Sequence, residues 1–302
     1  MSSGNLVADK RADYARMLGD AGDFQASAEL MRQALELAPE WAAGWYQAGG
    51  YFEKAGDFAA AATAFERTLA ASPGDRFGAR LKLAHLRGEA LPEPQTDYVE
   101  ALFDDYADRF DKSLVGKLGY RVPELLSEMI VRAEPKRVFR HCVDLGCGTG
   151  LMASALGKVA ETYTGIDLSA AMLAKAEGKG LYRKLIKADL IDGLSEAGPA
   201  DLIVAADVFM YFGSLEPVVK AAAKRLAPDG LFAFSVELSA SAGDFELRQS
   251  LRHAHSSGYV DDCLSEAGFQ TLSRTTANIR MDGTVGIEGL LVIAGKPKNA
   301  DG

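Results

Sequence analysis

The chain has few of the residues that bind metal ions or build disulfide frameworks. Its 302 residues include 3 cysteines and 4 histidines, and the cysteines form no CxxC pair. His253 and His255 lie two residues apart, and no third ligand is evident beside them, so we predict no metal site. Reduced thiols are typical of the cytoplasm, where we expect this protein to reside.

Positive charge and long apolar runs are also scarce. The 33 Lys and Arg residues are outnumbered by 42 Asp and Glu residues, for a net charge of −9. This balance argues against a general nucleic-acid binder, because phosphate contacts need clustered Lys and Arg. No stretch approaches the roughly 20 apolar residues of a membrane span. The opening residues, MSSGNLVADKRADYAR, lack the apolar core of a signal peptide. We therefore expect neither a nucleic-acid nor a membrane partner.

An internal repeat occupies the first part of the chain. Residues 22–39 (GDFQASAELMRQALELAP) match residues 56–73 (GDFAAAATAFERTLAASP) at an offset of 34 residues. In each copy Gly-Asp predicts a turn between two amphipathic helices, and proline ends the second helix. The pattern resembles the tetratricopeptide repeat family over residues 8–75, with a further helix predicted at residues 76–87. Two repeats are fewer than the roughly three needed for independent stability, so we expect this arm to pack on another domain or subunit.

A proline-containing linker at residues 88–97 separates the repeats from the rest of the chain. We therefore predict a helical-repeat domain over residues 1–90 and a second domain over residues 91–302. After a helical, aromatic-rich stretch, apolar strand patterns alternate with helical patterns, which predicts an α/β domain with a mainly parallel sheet. The predicted strands are VFRHCVDLG, TYTGID, KLIKAD, ADLIVAAD and GLFAFSVE, followed by an antiparallel pair, FQTLSRTTANI and GLLVIAG.

The first predicted strand runs into a glycine-rich loop, Asp144-Leu-Gly-Cys-Gly-Thr-Gly150. Glycine has no Cβ, so the backbone of such a loop can approach a ligand closely. A dinucleotide fingerprint has the spacing G-x-G-x-x-G, whereas Gly150 comes one position too early. The carboxylate of Asp144 would repel a pyrophosphate and attract an amino group. The loop therefore favours a ligand with an amino group over a dinucleotide.

Carboxylates also end the next two strands. Asp167 ends the second strand, where it can accept hydrogen bonds from both ribose hydroxyls of a nucleoside. Asp189 follows the third strand, where it can accept a hydrogen bond from an adenine amino group. These positions predict a nucleoside site beyond the carboxyl ends of the strands.

These features together resemble class I S-adenosylmethionine-dependent methyltransferases over about residues 98–296. The resemblance rests on D-x-G-x-G-x-G, the acid of the second strand, Ala188-Asp189 and the D-V-x-x-Y segment from Asp207 to Tyr211. The added repeats resemble a bacterial group of predicted tetratricopeptide-containing methyltransferases, related to the trans-aconitate and ubiquinone-pathway enzymes. The family implies a Rossmann-like, seven-stranded sheet in the order 3-2-1-4-5-7-6, with strand 7 antiparallel.

The resemblance also implies S-adenosylmethionine as the cofactor. By this likeness the glycine loop holds the methionine end, Asp167 the ribose and Asp189 the adenine amino group. Met172 and Leu190 would pack on the adenine, and Ala206 and Asp207 would line the sulfonium side. The implied cofactor-binding residues are Asp144, Gly146, Cys147, Gly148, Gly150, Asp167, Leu168, Met172, Asp189, Leu190, Ala206 and Asp207.

Two segments supply candidates for the acceptor pocket. In the aromatic-rich helical stretch, Tyr106 can reach over the donor, and Tyr211 follows the fourth strand, where this family often presents a side chain to the acceptor. After the fifth strand, His255 is the candidate acid–base residue. Candidate substrate-binding residues are Arg252, as an anchor for a carboxylate, His253 and Glu237. For each of these residues a purely structural or surface role stays open.

The leading functional hypothesis is methyl transfer to a small-molecule acceptor by in-line displacement. Two alternatives stay open: a protein methyltransferase that docks its target on the repeat arm, and an interaction protein that binds S-adenosylmethionine without turnover. A nicotinamide oxidoreductase is disfavoured by the glycine spacing. Besides the acceptor, a protein partner on the arm and a homo-oligomer stay open as partners.

Overall fold

The chain divides into two structural units close to the predicted linker, Met1–Leu91 and Pro92–Gly302. The computed structural model describes residues 1–108, 110, 119–283 and 285–296. Across these residues, no helix combines the length and the apolar character that crossing a membrane requires.

Five helices form the first unit. They are α1 (Leu6–Asp20), α2 (Phe24–Leu37), α3 (Ala42–Lys54), α4 (Phe58–Ala71) and α5 (Ala79–Arg87). The turns before α2 and α4 are equivalent. Gly22 and Gly56 have φ angles of 85° and 81°, and Asp23 and Asp57 each accept a hydrogen bond of 3.0 Å from the backbone amide three residues along. The helical arm is confirmed, and its assignment to the tetratricopeptide family stays a prediction.

The second unit is built on the predicted seven-stranded sheet. Its strands are β1 (Phe139–Leu145), β2 (Ala160–Asp167), β3 (Lys184–Lys187), β4 (Ala200–Ala205), β5 (Leu226–Glu237), β8 (Gln270–Asp282) and β9 (Val285–Gly295), and a separate pair is formed by β6 (Phe245–Leu247) and β7 (His253–His255). The order β3-β2-β1-β4-β5-β9-β8, with β9 antiparallel to β5 and β8, confirms the predicted topology. The β6–β7 pair was not predicted.

Helices cover both faces of this sheet. In the described part of this unit the α-helices are α6 (Thr96–Tyr106), α7 (Val122–Ala133), α8 (Leu151–Leu156), α9 (Ala170–Gly178), α10 (Leu190–Ala197), α11 (Glu216–Arg225) and α12 (Ser257–Glu266). Apolar side chains of α10, α11 and α12 share one buried core with the sheet, and those of α7 and α8 share another. Because β1 to β5 are parallel, their carboxyl ends meet at one edge, where ligands of such sheets bind.

The predicted aromatic-rich helical stretch, residues 98–114, is observed in part as α6, which ends at Tyr106. Within this stretch, Arg109 and residues 111–114 lie outside the described residues. Phe110 is described and lines a cavity at the ends of the parallel strands.

Candidate functional site

A cavity of about 420 Å³ opens where β1 to β4 end. Its size falls within the range of about 300–1,000 Å³ that is typical of small-molecule sites. The wall combines backbone and carboxylates from the strand ends, aromatic side chains from α6 and two arginines. The lining residues include Val99, Leu102, Phe103, Tyr106, Phe110, Tyr120, Gly146, Gly148, Asp167, Leu168, Asp189, Leu190, Ala206, Asp207, Val208, Met210, Tyr211, Phe212, Arg252 and Arg280.

The glycine loop forms a tight cradle at the end of β1. Gly146 has a φ angle of 60°, and a Cβ atom there would lie 2.6 Å from Cγ2 of Val208. Gly148 also has a positive φ angle, and its backbone N–H donates a hydrogen bond of 2.8 Å to Oδ2 of Asp167. At both positions the positive φ angle therefore favours glycine, and at Gly146 a side chain would also collide with Val208.

Asp167 joins the loop to the second strand. Its Oδ2 accepts from Gly148, and its Oδ1 accepts from the backbone N–H of Ser169 at 2.9 Å. Burial raises the pKa of the carboxyl group, and these backbone hydrogen bonds oppose the rise. Each carboxylate oxygen can accept more than one hydrogen bond, so capacity remains for hydroxyl donors from the cavity.

Asp189 begins α10 and also faces the cavity. Its Oδ1 accepts from the backbone amides of Ile191 at 2.9 Å and Asp192 at 3.1 Å, which caps the helix. The side chain is partly exposed, and its neighbour Leu190 offers an apolar surface to the same cavity. A carboxylate beside an apolar surface can bind a heteroaromatic ring and its amino group together.

Eight of the twelve predicted cofactor-binding residues line the cavity: Gly146, Gly148, Asp167, Leu168, Asp189, Leu190, Ala206 and Asp207. The other four, Asp144, Cys147, Gly150 and Met172, are buried and are absent from its wall. For these four residues, direct contact with the cofactor stays a prediction. Their positions also allow them to support the loop and the strand ends.

Asp144 is buried and hydrogen-bonded to another side chain. It is 1% exposed, and its Oδ2 accepts a hydrogen bond of 2.6 Å from the Tyr182 hydroxyl. Burial raises the pKa of Asp144 to about 7, the Tyr182 hydrogen bond opposes this rise, and the charge of Asp167 adds to it. The carboxyl group is therefore part of the buried structure that supports the glycine loop.

The acceptor candidates divide in a similar way. Tyr106, Tyr211 and Arg252 line the cavity, whereas His253, His255 and Glu237 do not. The wall is largely aromatic on this side. The Phe103 ring lies 5.4 Å from that of Tyr211, and the Phe110 ring lies 5.8 Å from that of Tyr106.

The position of His255 corrects the predicted acid–base role. Its side chain is fully buried in β7, and Nε2 donates to the carbonyl oxygens of Phe212 at 2.9 Å and Gly213 at 3.0 Å. Burial lowers its pKa to about 4, so the ring is neutral at neutral pH. His253 is buried in the same strand, with its ring 6.1 Å from that of Phe245. Both histidines hold the β6–β7 region together rather than face the cavity.

Glu237 belongs to a buried ion-pair network that sequence reasoning missed. It is 2% exposed and accepts hydrogen bonds from Arg280 and, at 3.0 Å, from Arg248. Arg280, also 2% exposed, binds Oδ1 of Asp207 at 2.6 Å. Glu237 is thus neither the predicted acceptor contact nor a solvated carboxylate. In the sequence, the signal that could have drawn attention to Arg280 was a lone arginine within ANIRMDG.

No three potential metal ligands, whether His, Cys, Asp or Glu, lie together in the described part of the chain. The polar groups at the cavity are carboxylates bound to backbone amides, phenols and guanidinium groups. This set can bind a nucleoside at the strand ends and an organic molecule beside the aromatic wall.

Fold and cavity together define the class: a Rossmann-like methyltransferase fold with its ligand site at the glycine loop. Residues 118–274, just over half of the chain, match the family described as "Methyltransferase domain". The chain belongs to this family.

Curated relatives agree with this assignment over part of their length. The chain is 33% identical over 114 residues to trans-aconitate 2-methyltransferase of Delftia acidovorans, a match that covers 36% of this chain and 42% of the relative. It is 31% identical over 117 residues to ubiquinone biosynthesis O-methyltransferase of Methylococcus capsulatus, covering 36% of this chain and 48% of that protein. The chain thus spans less than half the length of these relatives.

A solved structure supports the fold. This is 1,6-didemethyltoxoflavin-N1-methyltransferase of Burkholderia thailandensis, which was solved with 1,6-didemethyltoxoflavin and S-adenosylhomocysteine. It aligns with a TM-score of 0.52 at 19% identity, over 69% of this chain and 92% of that one.

Proposed function

We propose that this protein transfers a methyl group from S-adenosylmethionine to a small-molecule acceptor. The observation that supports this most strongly is the cavity at the sheet edge, where the glycine loop meets the carboxylates of two neighbouring strands. Membership of the methyltransferase family agrees with it.

The residues present fit the donor. Gly146 and Gly148 bring the backbone of the loop to the cavity wall, and we assign the methionine end to these two residues. Asp167 would accept the ribose hydroxyls, since both of its oxygens keep lone pairs beyond their backbone donors. Asp189 would accept the adenine amino group, with Leu190 packed against the ring.

When bound, S-adenosylmethionine supplies a methyl group on a positively charged sulfur. The chain's own contribution is to orient the acceptor and to exclude water. The aromatic side chains of Phe103, Tyr106, Phe110 and Tyr211 would form the dry wall against which the acceptor packs. We propose that Tyr106 and Tyr211 contact the acceptor through their hydroxyl groups.

The test is donor binding by matched glycine variants. We expect S-adenosylhomocysteine, but not NAD, to raise the melting temperature of the wild-type protein. Gly146→Ala places a Cβ 2.6 Å from Val208, so we expect it to weaken S-adenosylhomocysteine binding at least about tenfold. Gly157→Ala is the control, because Gly157 also has a positive φ angle, 54°, but no atom lies within 4 Å of the added Cβ.

Circular dichroism of both variants verifies that they are folded. Equal losses of affinity in Gly146→Ala and Gly157→Ala would mean that backbone strain, and not the cradle, is responsible. Stabilisation by NAD alone would overturn the proposed function.

A further inference from the structure

Ion pairs link the charged groups behind the cavity. Asp207, Glu237 and Glu246 supply three negative charges, and Arg280 and Arg248 supply two positive charges. Every member of this network has an oppositely charged partner. Both arginines of the network are therefore balanced by carboxylates, and neither is left to attract an anion.

Arg252 lies outside this balance. It precedes β7, is partly buried and lines the cavity. Among the residues that the structure describes, no carboxylate forms an ion pair with its guanidinium group. Burial raises the pKa of the Tyr211 phenol, and the charge of Arg252 opposes the rise. The carboxylates of Asp207 and Glu237 act on Arg252 only from beyond ion-pair distance. A guanidinium group with no carboxylate in direct contact therefore lines the cavity.

The surroundings of Arg252 are apolar and lie on the acceptor side. The donor residues follow β1, β2 and β3, whereas Tyr211 follows β4, on the opposite side of β1 in the sheet. Beside Tyr211, the cavity wall contains Val99, Phe103, Met210 and Phe212. A molecule in this half meets Arg252 beside an aromatic and aliphatic surface, whereas the charged groups Asp207 and Arg280 of the wall are paired with each other.

We propose that the methyl acceptor carries one carboxylate on an apolar body, and that Arg252 binds this carboxylate. This inference rests on the proposed function. Among the described residues no carboxylate contacts the guanidinium group of Arg252, and guanidinium binds carboxylate through paired hydrogen bonds. A phosphate monoester would bring additional negative charge towards Asp207 and Asp167, so a carboxylate is favoured.

The experiment measures binding of acids and their uncharged amides to the protein saturated with S-adenosylhomocysteine. The probes are benzoate, phenylpropionate and hexanoate, each paired with its amide, and phenyl phosphate as the alternative anion. Hydrogen bonds to charged groups contribute about 1.5–3 kcal/mol, so we expect at least one acid to bind about tenfold or more tightly than its amide.

Three variants identify the group responsible. Arg252→Gln should abolish the preference for the acid, and Arg252→Lys should keep part of it. Arg274→Gln should keep all of it, because Arg274 pairs with Asp261 at the surface, 2.7 Å away, and does not line the cavity. All three variants should bind S-adenosylhomocysteine as the wild-type protein does.

The inference is wrong if no acid binds more tightly than its amide, if phenyl phosphate binds more tightly than every acid, or if the preference survives in Arg252→Gln. Failure of the proposed function looks different, because S-adenosylhomocysteine would then not bind the wild-type protein at all. Loss of S-adenosylhomocysteine binding in Arg252→Gln alone would assign Arg252 to the donor site and overturn its acceptor role.

Discussion

Replacing Asp144 by asparagine tests whether a buried carboxyl group makes the second unit less stable as the pH rises. Burial raises the pKa of Asp144 from its ordinary value of 3.8 to about 7, the Tyr182 hydroxyl opposes the rise, and Asp167 adds to it. The folded chain therefore holds a proton that the unfolded chain releases. The stability that this proton provides is complete below about pH 4 and is lost as the pH rises through about 7.

The size of the effect follows from the same values. A pKa raised from 3.8 to about 7 corresponds to about 4 kcal/mol between the two protonation states. For one proton, the free energy of unfolding can change with pH by at most about 1.4 kcal/mol per pH unit. Between about pH 5 and pH 7, Asp144 should therefore lower the free energy of unfolding by about 2–3 kcal/mol. Asp144→Asn removes this titration. The variant should therefore lack this loss of unfolding free energy between about pH 5 and pH 7.

Urea unfolding at several pH values, followed by far-ultraviolet circular dichroism, measures this slope. Both tryptophans of the chain, Trp41 and Trp45, lie in the first unit, so tryptophan emission gives an internal reference. Tyr182→Phe removes the hydrogen bond that lowers the Asp144 pKa, so its stability loss should extend to higher pH. Parallel pH dependences of the wild-type protein and Asp144→Asn would refute this reasoning.

Three shorter predictions concern other parts of the chain. His255→Asn should lower the free energy of thermal unfolding by about 1–3 kcal/mol, because His255 is hydrogen-bonded to buried carbonyl groups. The pH dependence of methyl transfer should stay unchanged, and a new pH dependence would restore an acid–base role for His255. Arg280→Met should lower the free energy of unfolding in urea by about 3–5 kcal/mol, because it leaves a buried carboxylate without its positively charged partner. Adding Glu237→Leu should recover part of this, and fully additive losses would contradict the pairing. Asp57→Ala removes the cap of α4 and should cost about 1 kcal/mol in the tryptophan-detected transition, where no change would refute the cap.

The donor half of the cavity could be predicted because its residues lie in short motifs at strand ends. Strand alternation and the family resemblance together give the sheet order, and parallel strands bring their carboxyl ends to one edge. Gly146, Asp167 and Asp189 were therefore expected at one place, and all three line the cavity. What the motifs could not give was the direction of each side chain, so the burial of Asp144 and Met172 was missed.

The acceptor half depends on contacts that no local pattern encodes. The segment around His255 is polar and irregular in sequence, and a three-residue strand is too short to show a periodicity. It becomes buried because β7 pairs with β6, which brings Phe245 opposite His255. A polar sequence therefore led to an expectation of exposed, reactive histidines where the structure has neutral, buried ones.

The buried charge network still allows the acceptor half of the cavity to be interpreted. Arg280 lies 73 residues from Asp207 and 43 residues from Glu237, so their pairing follows from the fold and not from a motif. Once these pairs are known, Arg252 no longer counts as one of several equivalent arginines, because it alone among the cavity's described arginines has no carboxylate partner. The substrate class is thus better inferred from the charged groups that the fold leaves without a direct partner than from the residue types that a segment contains.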